Sequence, residues 1–165
     1  MKKVMVIGCP GSGKSTFSRA LHQLTGLPLY HLDMLNWNDD KTTVPKAVFI
    51  ERLKGVIQGD WWIIDGNYGS TMELRMNACD TIFFLDYPLE VCMDGVRERM
   101  GQPRSDMPWV ETEEDQDFIR FITDYHSVSR PVVLELLEKH AGKEIFIFSS
   151  RREAEDYLAD LSSDV

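Results

Sequence analysis

The 165-residue sequence predicts an α/β fold, a parallel sheet covered by helices on both faces. Three observations carry that prediction. Short, nearly all-apolar runs alternate with segments of helical period. A glycine-rich turn joins the first apolar run to the first helical segment. Aspartates follow directly on three of the apolar runs. With 43% apolar and 27% charged residues, the chain is composed like one ordinary globular domain, expected to span 1–165.

The elements follow in order along the chain. Val4 to Ile7 reads as a buried strand. Ser15 to Leu24 is helical, with Phe17, Ala20, Leu21 and Leu24 on one face. Leu27 to Leu32 is a second strand. Pro45 to Gln58 is a helix with a stripe of Val48/Phe49, Leu53 and Val56/Ile57. Trp61 to Ile64 and Ile82 to Leu85 are the third and fourth strands. Leu89 to Met100 is a helix that stops at Gly101, and a long helical stretch begins near Glu113. Ile145 to Phe148 is the fifth strand, and Arg152 to Leu161 the last helix. The irregular stretches at about 34–44 and 101–112 have the length of lids or binding loops, and a lid segment is expected at about 101–117.

The glycine-rich turn is a phosphate-binding signature. Gly8-Cys9-Pro10-Gly11-Ser12-Gly13-Lys14-Ser15 matches GxxxxGK[ST] in full, between a strand and a helix. Glycines let the backbone N–H groups turn inward around an anion without a Cβ clash. The helix start points its positive end at the same anion. Lys14 reaches the terminal phosphates, the Ser15 hydroxyl offers a place on Mg²⁺, and Thr16 is placed for a further phosphate contact. The candidate nucleotide-binding set is therefore Gly8, Pro10, Gly11, Ser12, Gly13, Lys14, Ser15 and Thr16.

Asp33, Asp65 and Asp86 are each read as ending a strand, which places all three on the rim that carries the phosphate loop. Such carboxylates can hold Mg²⁺ through water or take a proton from an attacking hydroxyl. Turn chemistry explains Asp65-Gly66 and Asp86-Tyr87-Pro88 as well. Function is favoured for Asp33 and Asp65, and a cap before the Pro88 helix for Asp86. Arg97, Arg99 and Arg104 lie at a helix end and in the expected lid, where arginines can close on a transferring phosphoryl group. Basic residues also suit a last helical turn, and this second reading weighs most on Arg99. Arg97 and Arg104 are the favoured pair. The run Glu111, Glu113, Glu114, Asp115 and Asp117 reads as a helix start, with Thr112 and Asp115 resembling a capping box. Trp37 and Trp109 fall in the two long loops, placed to stack on a planar substrate. Trp61 and Trp62 sit in a strand. His31 reads as a packed or hydrogen-bonded histidine.

Charge and cysteine content narrow the partners. With 27 acidic and 18 basic residues the net charge is −9, which disfavours direct binding to nucleic acid or an anionic membrane. Cys9, Cys79 and Cys92 have no metal-like spacing, and the apolar stretch after Met1-Lys2-Lys3 breaks at Gly8 and Pro10. A reducing, cytoplasmic setting is expected. The sequence does not separate monomer from dimer.

The chain resembles the small P-loop kinases related to adenylate kinase, and more closely the group called topology modulation proteins. The carrying segments are residues 8–16, His31-Leu32-Asp33, residues 62–68, residues 80–88, and Arg97 through Arg104-Ser105-Asp106. The resemblance implies a P-loop NTPase three-layer α/β/α sandwich, like that of nucleoside monophosphate kinases. It implies a five-stranded parallel sheet of order 2-3-1-4-5, ATP and Mg²⁺ as cofactors, and a lid. On it, Asp65 matches the aspartate that holds Mg²⁺ through water, alongside Ser15. Asp33 matches the acceptor-side acid or base, which with Lys14, Arg97 and Arg104 makes the catalytic set. The arginine that grips a monophosphate in adenylate kinases has no counterpart in Asp65-Gly66-Asn67-Tyr68-Gly69. The expected activity is transfer of the ATP γ-phosphate to a small-molecule acceptor such as a nucleoside or nucleotide. The alternative is a nucleotide-dependent regulatory ATPase acting on a macromolecular partner. Against a GTPase form stands the lack of an Asn-Lys-x-Asp motif. Against an ATPase machine stands the identity of the residues after Asp65 and Asp86, which are Gly66 and Tyr87 rather than glutamate.

Overall fold

A computed structural model describes residues 1–100, 108 and 116–164, with the backbone alone at 116–118 and 121. Five parallel strands form one sheet: β1 (Lys3–Gly8), β2 (Leu29–His31), β3 (Trp62–Asp65), β4 (Thr81–Leu85) and β5 (Glu144–Phe148). Their spatial order is β2-β3-β1-β4-β5, the order that the resemblance implies. β1 is central and pairs Val6 with Asp65 on one side and with Phe83 on the other. From Val4 to Gly8 it is buried throughout, because helices cover both faces of a parallel sheet.

Seven helices join the described strands: α1 (Lys14–Thr25), α2 (Leu32–Asn36), α3 (Lys46–Ile57), α4 (Gly69–Ala78), α5 (Leu89–Arg99), α6 (Gln116–Lys139) and α7 (Arg151–Ser163). None of the described helices is long and apolar enough to cross a membrane. An aromatic cluster seats α1 and α7 on β4 and β5. Phe17 of α1 lies 5.0 Å from Phe83 between ring centroids, Phe83 stacks on Phe146 at 5.0 Å, and Tyr157 of α7 meets both rings within 5.2 Å. Each such pair adds about 0.5–1.5 kcal/mol beyond its buried area. The cluster holds the helix that the phosphate loop opens.

Several elements differ from expectation. β2 is only three residues long, so Asp33 does not end a strand but lies in the first turn of α2. Neither α2 nor α4 stands out in the pattern. On α4 the buried face mixes Met72 and Met76 with Thr71 and Arg75, which hides its amphipathic period. Asp86 caps nothing, since α5 begins after Pro88 with no side-chain cap. Its carboxylate is taken instead by Arg130 of α6, whose Nε and Nη2 donate at 2.9 Å. The expected lid, with Arg104, Trp109 and the run from Glu111 to Asp115, lies outside the described residues, apart from Pro108 and the start of α6.

Two packing features position the site. The first is the contact of α5 with the phosphate loop. A Cβ on Gly95 would stand 2.1 Å from the Gly11 carbonyl oxygen, and one on Gly11 would stand 1.9 Å from that of Cys92. The second is Arg75, fully buried under the loop after β3. Its guanidinium donates to the carbonyls of Gly66 (2.9 Å), Asn67 and Tyr68 (3.1 Å), and to Thr71 Oγ1 (3.2 Å). Burial lowers its pKa to about 9, which leaves it charged at neutral pH.

Each feature yields a stability test by urea denaturation. Gly55 on α3 has open space at its Cβ position. Gly55→Ala should therefore stabilise by up to about 1 kcal/mol, the helix-propensity gain. Gly95→Ala makes the same gain in propensity yet should destabilise by roughly 1–3 kcal/mol through overpacking. Arg75→Met should cost roughly 3 kcal/mol, because three loop carbonyls lose their donor. Arg75→Lys should recover only part of that, lacking the planar fork.

Candidate active site

The turn from Gly8 to Ser15 leaves β1 at its carboxyl end and enters α1. Gly11 (φ 84°) and Gly13 (φ 92°) hold left-handed conformations that a side chain would strain. Gly13 is the N-cap of α1, and Ser12 N–H closes the turn on Cys9 O at 3.0 Å. The Cys9 thiol lies against that of Cys92. This contact, with burial, pushes the Cys9 pKa up and keeps the thiol protonated. All three cysteines are free thiols.

Lys14 folds along the loop and donates from Nζ to Cys9 O at 3.3 Å. Burial lowers its pKa, while Asp65 nearby favours its charged form. Asp65 is the last residue of β3 and is almost buried. Its Oδ2 lies 2.6 Å from Nδ1 of His31, the residue level with it on β2. His31 is thus hydrogen-bonded, as its place in the sequence suggests. Ser15 is half-buried and Thr16 exposed, with the Thr16 hydroxyl accepting from Arg19 Nη2 at 3.3 Å. Pro10 is half-buried in the same turn.

Asp33 stands across this rim, and its charge reaches Lys14. One of its oxygens accepts a hydrogen bond from the Tyr68 hydroxyl. That hydroxyl accepts in turn from Trp37 Nε1 at 3.1 Å and Asn36 Nδ2 at 3.4 Å. Burial, with the Asp33 charge, raises the Tyr68 pKa, so the hydroxyl stays a donor. Tyr68 is the N-cap of α4 and has positive φ (34°), a conformation strained for a tyrosine. Arg75 holds its carbonyl, and Phe49 of α3 packs on its ring at 5.1 Å. The neighbouring Asn67 side chain accepts from Gly8 N–H at 3.1 Å, which joins this loop to the phosphate loop.

The arginines separate. Arg97 is exposed and faces Asp94 at 3.7 Å, on the outer side of α5. Arg99 is half-buried, and its charge acts on both Lys14 and Cys9. The structure thus brings together Lys14, Ser15, Asp65, Asp33 and Arg99, and leaves Arg97 outside. Sequence reasoning missed Asn67, Tyr68 and Arg75. The first two were legible as polar residues directly after a rim strand; the third reads as an ordinary helix-surface arginine.

Ser15 and Asp65 offer hydroxyl and carboxylate oxygens, the donor chemistry of a hard cation. Among the described residues no three metal-ligating side chains cluster.

No protein-family model and no curated protein sequence matches the chain. Solved structures do. A shikimate kinase from Acinetobacter baumannii in complex with shikimate matches with a TM-score of 0.62 at 15% identity, over 98% of this chain and 90% of that one. A shikimate kinase from Bacteroides thetaiotaomicron matches with a TM-score of 0.55 at 21% identity, over 97% and 95%. The likeness runs through both chains almost end to end, and this chain shares the fold of these two shikimate kinases.

Proposed function

We propose that this chain is an ATP-dependent kinase that transfers the γ-phosphate to a hydroxyl of a small-molecule acceptor. The observation that carries the reading is the juxtaposition of a complete phosphate loop and two carboxylates, Asp33 and Asp65, on one rim of the sheet. The shared fold with shikimate kinases supports it. The loop amides and Lys14 bind the β- and γ-phosphates, Lys14 exchanging its bond to Cys9 O for phosphate oxygens. Ser15 and, through water, Asp65 would hold Mg²⁺, which would supply positive charge to those oxygens. Asp33 orients the acceptor hydroxyl and takes its proton. Tyr68 holds the Asp33 carboxylate in register with the loop. Arg99 is better placed than Arg97 to add positive charge at the phosphates, and Arg104 completes the expected set.

The finer placement, with the topology modulation proteins, rests on the sequence segments alone; the similar solved structures are shikimate kinases. The cytoplasmic setting is supported by the three free thiols.

The direct test is a screen with γ-labelled ATP over nucleosides, nucleotides, sugars and vitamin-like alcohols, with shikimate included. A labelled product is expected. ATP binding with release of phosphate alone, and no labelled acceptor, would overturn the kinase reading. Lys14→Ala should weaken ATP by roughly 100-fold, the scale of lost charge-assisted contacts.

Two further variants probe the acceptor side. Asp33→Asn should lower kcat by about 10²–10⁴ with ATP affinity nearly unchanged. Tyr68→Phe keeps the carboxylate and should lower kcat by about tenfold, the value of one hydrogen bond. Turnover untouched in Asp33→Asn would remove that residue from the mechanism.

A further inference from the structure

Arg151 opens α7, 139 residues from Ser12 of the phosphate loop, and grips that loop from behind. Its Nη1 donates to Ser12 O at 3.1 Å and its Nη2 to Gly11 O at 3.1 Å. The guanidinium carbon lies 5.6 Å from the centre of the Tyr87 ring, a cation–π contact that fixes the plane of the fork. Two residues that lack a Cβ line its slot. One on Gly13 would come within 2.9 Å of Nη1, and one on Gly95 within 3.1 Å of Nη2.

The contact matters for a physical reason. A loop that turns its N–H groups toward an anion turns carbonyls away from it. Here those carbonyls face protein, since Gly11 and Ser12 are buried and α5 crosses directly behind. A buried carbonyl needs a donor. Arg151 supplies one to each of two successive carbonyls, and its positive charge then stands behind the anion site.

We propose that Arg151 is a positioning residue for phosphate binding: it holds the Gly11 and Ser12 carbonyls outward, so that the loop amides point at the nucleotide phosphates. The inference rests on the nucleotide-binding reading of the loop. It assigns a role to a residue outside the GxxxxGKS motif and beyond the proposed catalytic set.

The test is calorimetric binding of ATP and of inorganic tripolyphosphate to the full chain and to Arg151→Met and Arg151→Lys, with melting temperatures in parallel. Arg151→Met should weaken both ligands by the same factor, tenfold or more. Arg151→Lys should recover the melting temperature but not the affinity, because an ammonium group cannot reproduce the fork. A loss on ATP alone would mean that Arg151 reads the base, and would overturn the proposal. So would unchanged affinity in Arg151→Met, full rescue of affinity by lysine, or a wild-type chain that binds ATP and not tripolyphosphate. A wild-type chain that binds neither ligand would instead overturn the nucleotide reading itself.

Discussion

One backbone constraint organises the phosphate loop: where the turn from Gly8 to Ser15 aims N–H groups at an anion, the carbonyls it turns away must still find partners. Gly11 and Gly13 supply the left-handed conformations. The absence of a side chain at Gly95 lets α5 reach Gly11, and Arg151 fills the remaining slot. Asn67 takes the Gly8 N–H from the other side. Three parts of the chain, far apart in sequence, therefore converge on one turn of eight residues.

The acceptor side depends on a second buried cation. Arg75 is surrounded by the carbonyls of Gly66, Asn67 and Tyr68. Its field and its donors keep the loop after β3 in a shape that includes Tyr68 at positive φ. Strain of this kind persists where surroundings over-determine it, and it collects at functional sites. Here it delivers a phenol to Asp33 and an amide to Gly8, so the two halves of the rim hold each other in register. Asp65, taken up by His31, lies between them.

Much of this was legible in the sequence. The five strands were visible as apolar runs, since a parallel sheet covered on both faces needs no alternation. The phosphate loop was legible because its chemistry demands particular residues at particular spacings. The misses share one cause, which is polar side chains in buried or locally paired places. Thr71 and Arg75 hid α4. Asp33 looked like a strand end because Leu32, fully buried, seemed to extend β2. Asp86 looked like a cap because Pro88 follows, and only the fold brings Arg130 to it, 44 residues away. Arg97 and Arg99 could not both face one site, but which one does depends on the rotation of α5 about its axis.

By itself, then, the sequence determined the alternation of strand and helix, the phosphate loop, and the placement of Asp65 on its rim. Those properties are local: they follow from period, glycine conformation and the handedness of strand–helix connections. Tertiary structure alone decided which arginines lie against the phosphate loop and its rim. Arg75, Arg99 and Arg151 turn inward while Arg97 faces water. An arginine's role is set by what its guanidinium reaches at the end of a long side chain, and that is a property of packing.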